Sequence, residues 1–138
     1  MRGKIEIRKK IRFTLMAQRI LVAEDDELLI KLIRIRLEKD NYEVITVTNG
    51  AEVMKYVDAG GIDLIISDIM MPFSTGLEIV SYVRNKSEKY IPIIILSNMV
   101  LESTILEAFS LGADDFINKP FSPNELSVRV KRLFARKF

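Results

Sequence analysis

The sequence predicts an α/β fold: a single doubly wound, five-stranded parallel sheet with helices on both faces. Three observations predict it. Short apolar β-prone runs alternate with amphipathic stretches from Arg19 onward. The runs are apolar on both faces, which only a sheet covered on both sides accommodates. And 138 residues with 49% hydrophobic content suffice for one compact core without covalent staples.

The elements follow in order. Ile20-Leu21-Val22-Ala23 is the first strand, and Leu28, Leu29, Leu32, Ile33, Ile35 and Leu37 recur at helical spacing after it. Asp26 is placed to cap that helix. Val44–Val47 reads as a strand and Ala51–Val57 as a helix stopped by Gly60-Gly61. Leu64-Ile65-Ile66 is a strand, and Leu77–Val83 a helix following Gly76. Pro92 opens the strand Ile93–Leu96. Leu101–Leu111 is a helix closed by Gly112 at its C-terminal cap. Asp115–Asn118 is the fifth strand. Ser122, Pro123 and Glu125 open the last helix as N-cap, first residue and capping-box acid.

Composition excludes several chemistries. There is no Cys and no His, so disulfides, thiol nucleophiles, His-liganded metals and Ser-His-Asp catalysis are ruled out. The net charge of +2 is uneven. In residues 1–18, six basic residues against Glu6 give +5; the remaining 15 basic and 18 acidic residues give −3. A mildly acidic domain argues against nucleic-acid binding by residues 19–138. No run reaches the roughly 20 apolar residues of a membrane span, nor a signal-peptide apolar segment, so a cytoplasmic location is expected. The domain division is a basic extension, 1–18, followed by a domain, 19–138. Within the extension Ile5, Ile7, Ile11, Phe13 and Leu15 occupy odd positions, the period of an edge strand.

In open parallel sheets ligands gather at the carboxyl ends of strands. There stand Glu24-Asp25-Asp26, Asp68, Ser97 and Lys119-Pro120, after strands one, three, four and five. Close carboxylates repel unless a cation lies among them, and oxygen donors alone suit Mg²⁺. With Lys119 as a compact charge and Ser97 as a hydroxyl donor, the set describes a carboxylate that accepts a phosphoryl group. Each residue alone would read as a cap, turn or surface residue, as Asp26 and Asp63 do; four such positions on four strand ends argue for a site.

Arg19–Asp26, Ser67-Asp-Ile-Met-Met-Pro72, Gly76-Leu-Glu78, Ile94-Ile-Leu-Ser97 and Gly112–Phe121 resemble, in order and spacing, the receiver domain of two-component response regulators over residues 19–136. The resemblance implies the flavodoxin-like strand order 2-1-3-4-5, an order for which the general rule already uses a receiver as an example. It implies phosphorylation of Asp68 by a sensor histidine kinase or phosphotransfer protein, a switch rather than a turnover enzyme, and Mg²⁺ held by Glu24, Asp25, Asp68 and the Met70 carbonyl. Lys119 would bind phosphate, before a cis Pro120. Ser97 and Phe116 would be the switch residues, and Met70 and Met99 would flank the hydrolytic water. Asp115, Glu125, Arg129 and Arg136 match a subfamily that forms homodimers through helix four, strand five and helix five, whereas Ile105 and Leu111 replace charges there. Asn98 stands where a very small residue is usual, and Thr75 where Asp is common, with little consequence expected.

The alternatives are from other classes. A haloacid-dehalogenase-type phosphatase with an aspartyl-phosphate intermediate needs a second Asp two residues after the nucleophile, where Met70 stands. A flavodoxin-like cofactor binder needs a phosphate loop after strand one, where Glu24-Asp25-Asp26 would repel phosphate. A degenerate receiver would lack acceptor-site residues.

Overall fold

The computed structural model describes residues 2–8, 17–98 and 101–136. Five parallel strands, β1 (Arg19–Ala23), β2 (Glu43–Val47), β3 (Leu64–Asp68), β4 (Ile93–Ser97) and β5 (Asp115–Asn118), lie in the order β2-β1-β3-β4-β5. Between and after them run α1 (Glu27–Lys39), α2 (Gly50–Ala59), α3 (Gly76–Lys86), α4 (Glu102–Leu111) and α5 (Pro123–Ala135). The expected fold class and strand order are both present.

The period of two along each strand builds two cores. Leu21, Ala23, Ile65, Ile93 and Ile95 pack with Val53, Ile79, Val83 and Ala108 of α2, α3 and α4. Ile20, Val22, Leu64, Ile66, Ile94 and Leu96 pack with Ile33 and Leu37 of α1 and Leu126, Val130 and Leu133 of α5. The central strands β3 and β4 are buried throughout, which is why they are apolar on both faces.

Helix starts are fixed by side-chain caps. Asp26 accepts from Leu28 N and Leu29 N. Asn49, Thr75 and Ser122 accept from the amides of Glu52, Glu78 and Glu125, three residues on. Thr75 therefore starts α3, a role that the reading of it as inconsequential missed. Helix α4 differs: its N-cap, Leu101, makes no side-chain cap bond, while its other end closes on Gly112 at φ +113.

The edge strand expected in the extension is not formed by residues 2–8, which are helical and exposed; residues 9–16 lie outside the described residues. Odd-position apolar spacing favours a strand only where a sheet edge supplies partners. A short segment without one satisfies its backbone internally as helix.

Candidate phosphoacceptor site

Strand register assembles the site. Ala23 lies beside Ser67 in the β1–β3 pairing, so Glu24 and Asp68, each one residue on, emerge side by side. Asp68 lies beside Leu96, and Ser97 beside Asn118, which brings Ser97 and Lys119 to the same edge. The Lys119 amide donates to the Ser97 carbonyl at 2.8 Å, and the Lys119–Pro120 bond is cis, as the resemblance implies.

The acceptor loop is built around Gly76. A Cβ there would lie 2.7 Å from the Asp68 carbonyl oxygen and 2.9 Å from Ile69 Cα, both backbone. Only glycine permits this approach, which the Gly76 N–H to Ile69 O bond of 2.8 Å holds closed.

Glu24 is fully buried, Asp68 is 7% exposed, and Asp25 faces solvent. One carboxylate oxygen from each lies within 4.8 Å of the others. Lys119 Nζ donates to Glu24 Oε2 at 2.8 Å and to Asp68 Oδ2 at 3.1 Å. The other Glu24 oxygen accepts from the Asp26 amide at 3.2 Å, and Asp68 Oδ1 lies 3.5 Å from the Met70 amide. An all-carboxylate oxygen set carrying three formal negative charges against one ammonium suits a hard divalent cation.

Burial sets the electrostatics. It pushes the Glu24 carboxyl above its usual range; the Lys119 hydrogen bond pulls down, and the nearby charge of Asp68 pushes up. A salt-bridged acid would ordinarily be lowered, but here desolvation and the second carboxylate win. For Lys119 burial opposes the ammonium, yet hydrogen bonds to Glu24 and Asp68 and their charges outweigh it, and the pKa rises. The lysine therefore carries its charge throughout the neutral range.

The structure brings together Glu24, Asp25, Asp68 and Lys119, with Ser97 buried at the adjoining strand end. Phe116 is half-buried, beside Ile95 in register, against the core layer that α4 shares. Met70 is 60% exposed. Met99 lies outside the described residues. Asn98 is exposed and lines a cleft with Asp26, Leu28, Leu29, Leu32, Lys119, Pro120 and Phe121. On the α4–β5–α5 face, Asp115 pairs with Arg129 of its own chain at 2.7 Å, Arg129 also meets Glu125 at 3.1 Å, and Leu106 is exposed.

Residues 20–131 match the family described as the response regulator receiver domain. The chain is 36% identical over 121 residues to the alkaline phosphatase synthesis transcriptional regulatory protein PhoP of Bacillus subtilis, covering 88% of this chain and 50% of PhoP. It is 39% identical over 118 residues to the transcriptional regulatory protein ResD of the same organism, covering 86% and 48%. The chain thus spans about half the length of the curated relatives it matches. Among solved structures it is similar to the chemotaxis response regulator CheY4 of Vibrio cholerae, with a TM-score of 0.79, 30% identity, and 86% and 99% of the two chains covered. It is also similar to the response regulator TrrA of Thermotoga maritima in complex with Mg²⁺ and beryllofluoride, with a TM-score of 0.74, 35% identity, and coverage of 84% and 98%.

Proposed function

This chain belongs to the response regulator receiver domains of two-component signalling, and we propose that Asp68 is its phosphoacceptor. One observation carries the assignment. Asp68 is a nearly buried carboxylate with an ammonium 3.1 Å away and two further carboxylates within 4.8 Å. Asp68 attacks the phosphorus of a phosphodonor, the donor's P–N or P–O bond breaks, and an acyl phosphate forms. Lys119 is positioned to pair with the transferred oxygens, and the Ser97 hydroxyl to donate to one of them. Glu24, Asp25, Asp68 and the Met70 carbonyl would hold Mg²⁺, which when bound neutralises charge on the transferring group.

Residues 19–138 are the receiver and residues 1–18 a basic extension. The chain assists its own phosphorylation and is not a turnover enzyme. Its donor is a sensor histidine kinase or phosphotransfer protein, and its place is the cytoplasm; no helix among the described residues is long and apolar enough to cross a membrane. The domain itself does not bind nucleic acid. Phosphorylation draws Ser97 inward and lets Phe116 fill the vacated space, remodelling the face of α4, β5 and α5. That face is the surface for partners, including a second copy. The phosphatase alternative finds no support among the relatives, and Met70 occupies the place of its general acid.

Intact-mass measurement after incubation with acetyl phosphate and Mg²⁺ tests the assignment. The wild type should gain one phosphoryl group and Asp68→Asn none. Full incorporation by Asp68→Asn would rule it out.

A further inference from the structure

Phe73 lies in the loop between β3 and α3, five residues beyond Asp68. Its φ is +73°, in the left-handed region where the Cβ of an L residue is crowded against backbone. Its side chain is 86% exposed, so no core contact compensates for the strain. Glycine at this position would remove both the strain and the solvated ring. The loop around it is firmly built. The Gly50 amide donates to the Pro72 carbonyl at 3.4 Å, Thr75 caps α3, and Gly76 N–H closes on Ile69 O. A bulky apolar residue is thus held out on a fixed mount, at a backbone position that disfavours it. Such outliers collect at ligand clamps and functional loops.

The surroundings indicate what the residue meets. Asp68 is recessed, whereas Met70 on the same loop and Leu28 at the start of α1 are both exposed large apolar residues. Leu28 shares a cleft with Asn98 and Lys119. A small phosphodonor can enter this recess without touching its rim. A protein that carries phosphate on a side chain cannot, because its surface must seat on the rim for the phosphorus to reach Asp68.

Resting on Asp68 as acceptor, we propose that Phe73 is a docking anchor for the protein phosphodonor. It inserts into an aliphatic cleft next to the donor's phosphorylated side chain and confers preference for protein over small-molecule donors. Strain in the free domain is the cost of presenting the anchor preformed, which spares ordering entropy on association.

The test compares two donors on the full chain. One is acetyl phosphate with Mg²⁺; the other is an autophosphorylated sensor-kinase core selected because it phosphorylates the wild type rapidly. Phe73→Gly should unfold at a higher temperature and be labelled by acetyl phosphate at the wild-type rate. It should accept phosphate from the kinase about tenfold more slowly, the effect of truncating an apolar anchor. Phe73→Asn, which also tolerates the left-handed backbone, should behave alike. Unchanged kinase transfer in both variants, or equal losses with both donors, would overturn the proposal. A wild type labelled by neither donor would instead overturn the acceptor assignment on which it rests.

Discussion

Lys119 Nζ donates to Glu24 Oε2 at 2.8 Å, so the lysine at the end of β5 is held by the carboxylate that follows β1. Both Glu24 oxygens are engaged, one by Lys119 and one by the Asp26 amide, while Asp25 is exposed. A metal entering from solvent meets Asp25 with its oxygens less encumbered.

Metal binding should rank accordingly. In Mg²⁺ titrations followed by NMR, Asp25→Ala should lose binding, whereas Glu24→Ala should retain weakened binding. Mg²⁺ keeps several waters and takes few direct carboxylates, so Glu24 acts on it chiefly through water. Equal loss in the two variants would refute the ranking.

Gly76→Ala should destabilise the fold and displace the acceptor together. Its Cβ would meet the Asp68 carbonyl and Ile69 Cα, neither of which can swing aside. A cost of about 1–3 kcal/mol is expected in urea denaturation, as for overpacked cores. Beryllofluoride binding should fall as well. A variant of wild-type stability that still binds beryllofluoride normally would show that the loop can relax.

Arg84 ties three elements together. It donates to the carbonyls of Gly112 and Ile91 and to Asp114, and stacks over the Tyr90 ring at 4.2 Å. Asp114 also accepts from Tyr90 and from the Ile93 amide. Arg84→Gln should cost about 3 kcal/mol, because it leaves a largely buried carboxylate without its cation. Arg84→Lys should rescue little, since an ammonium cannot reproduce the planar fork. Chemical denaturation of both variants reads this, and full rescue by lysine would contradict it.

Coupling to the α4 face should run through Ser97 and Phe116. Beryllofluoride added with Mg²⁺ should shift amide resonances of α4 and β5 in the wild type. In Ser97→Ala the shifts should stay near Asp68 and Lys119. Wild-type shifts in α4 of the Ser97→Ala protein would break this link.

Much of this was legible in the sequence because strand ends are. Apolar runs stop where Glu24, Asp68, Ser97 and Lys119 begin, and a parallel sheet leaves those ends on one edge. Gly112 announced its left-handed turn, and Ser122-Pro123 the start of α5. The Arg84–Asp114 clasp was not legible: its partners are 30 residues apart, and a lone Arg on a helix reads as surface. Nor was the grip of Glu24 on Lys119, 95 residues apart. Phe73 was missed because an aromatic in a loop gives no sign of its φ. The extension misled because its alternation is a strand signal only beside a partner edge.

The most direct measurement is the position of the phosphoryl bond. The protein is labelled with acetyl phosphate and Mg²⁺, reduced with borohydride, which converts an acyl phosphate at Asp to homoserine, and mapped by peptide mass spectrometry. Homoserine should appear at position 68 alone. Homoserine at position 25 or 26, or a phosphoryl group that survives on a hydroxyl side chain while Asp68 stays unmodified, would contradict Asp68 as the acceptor.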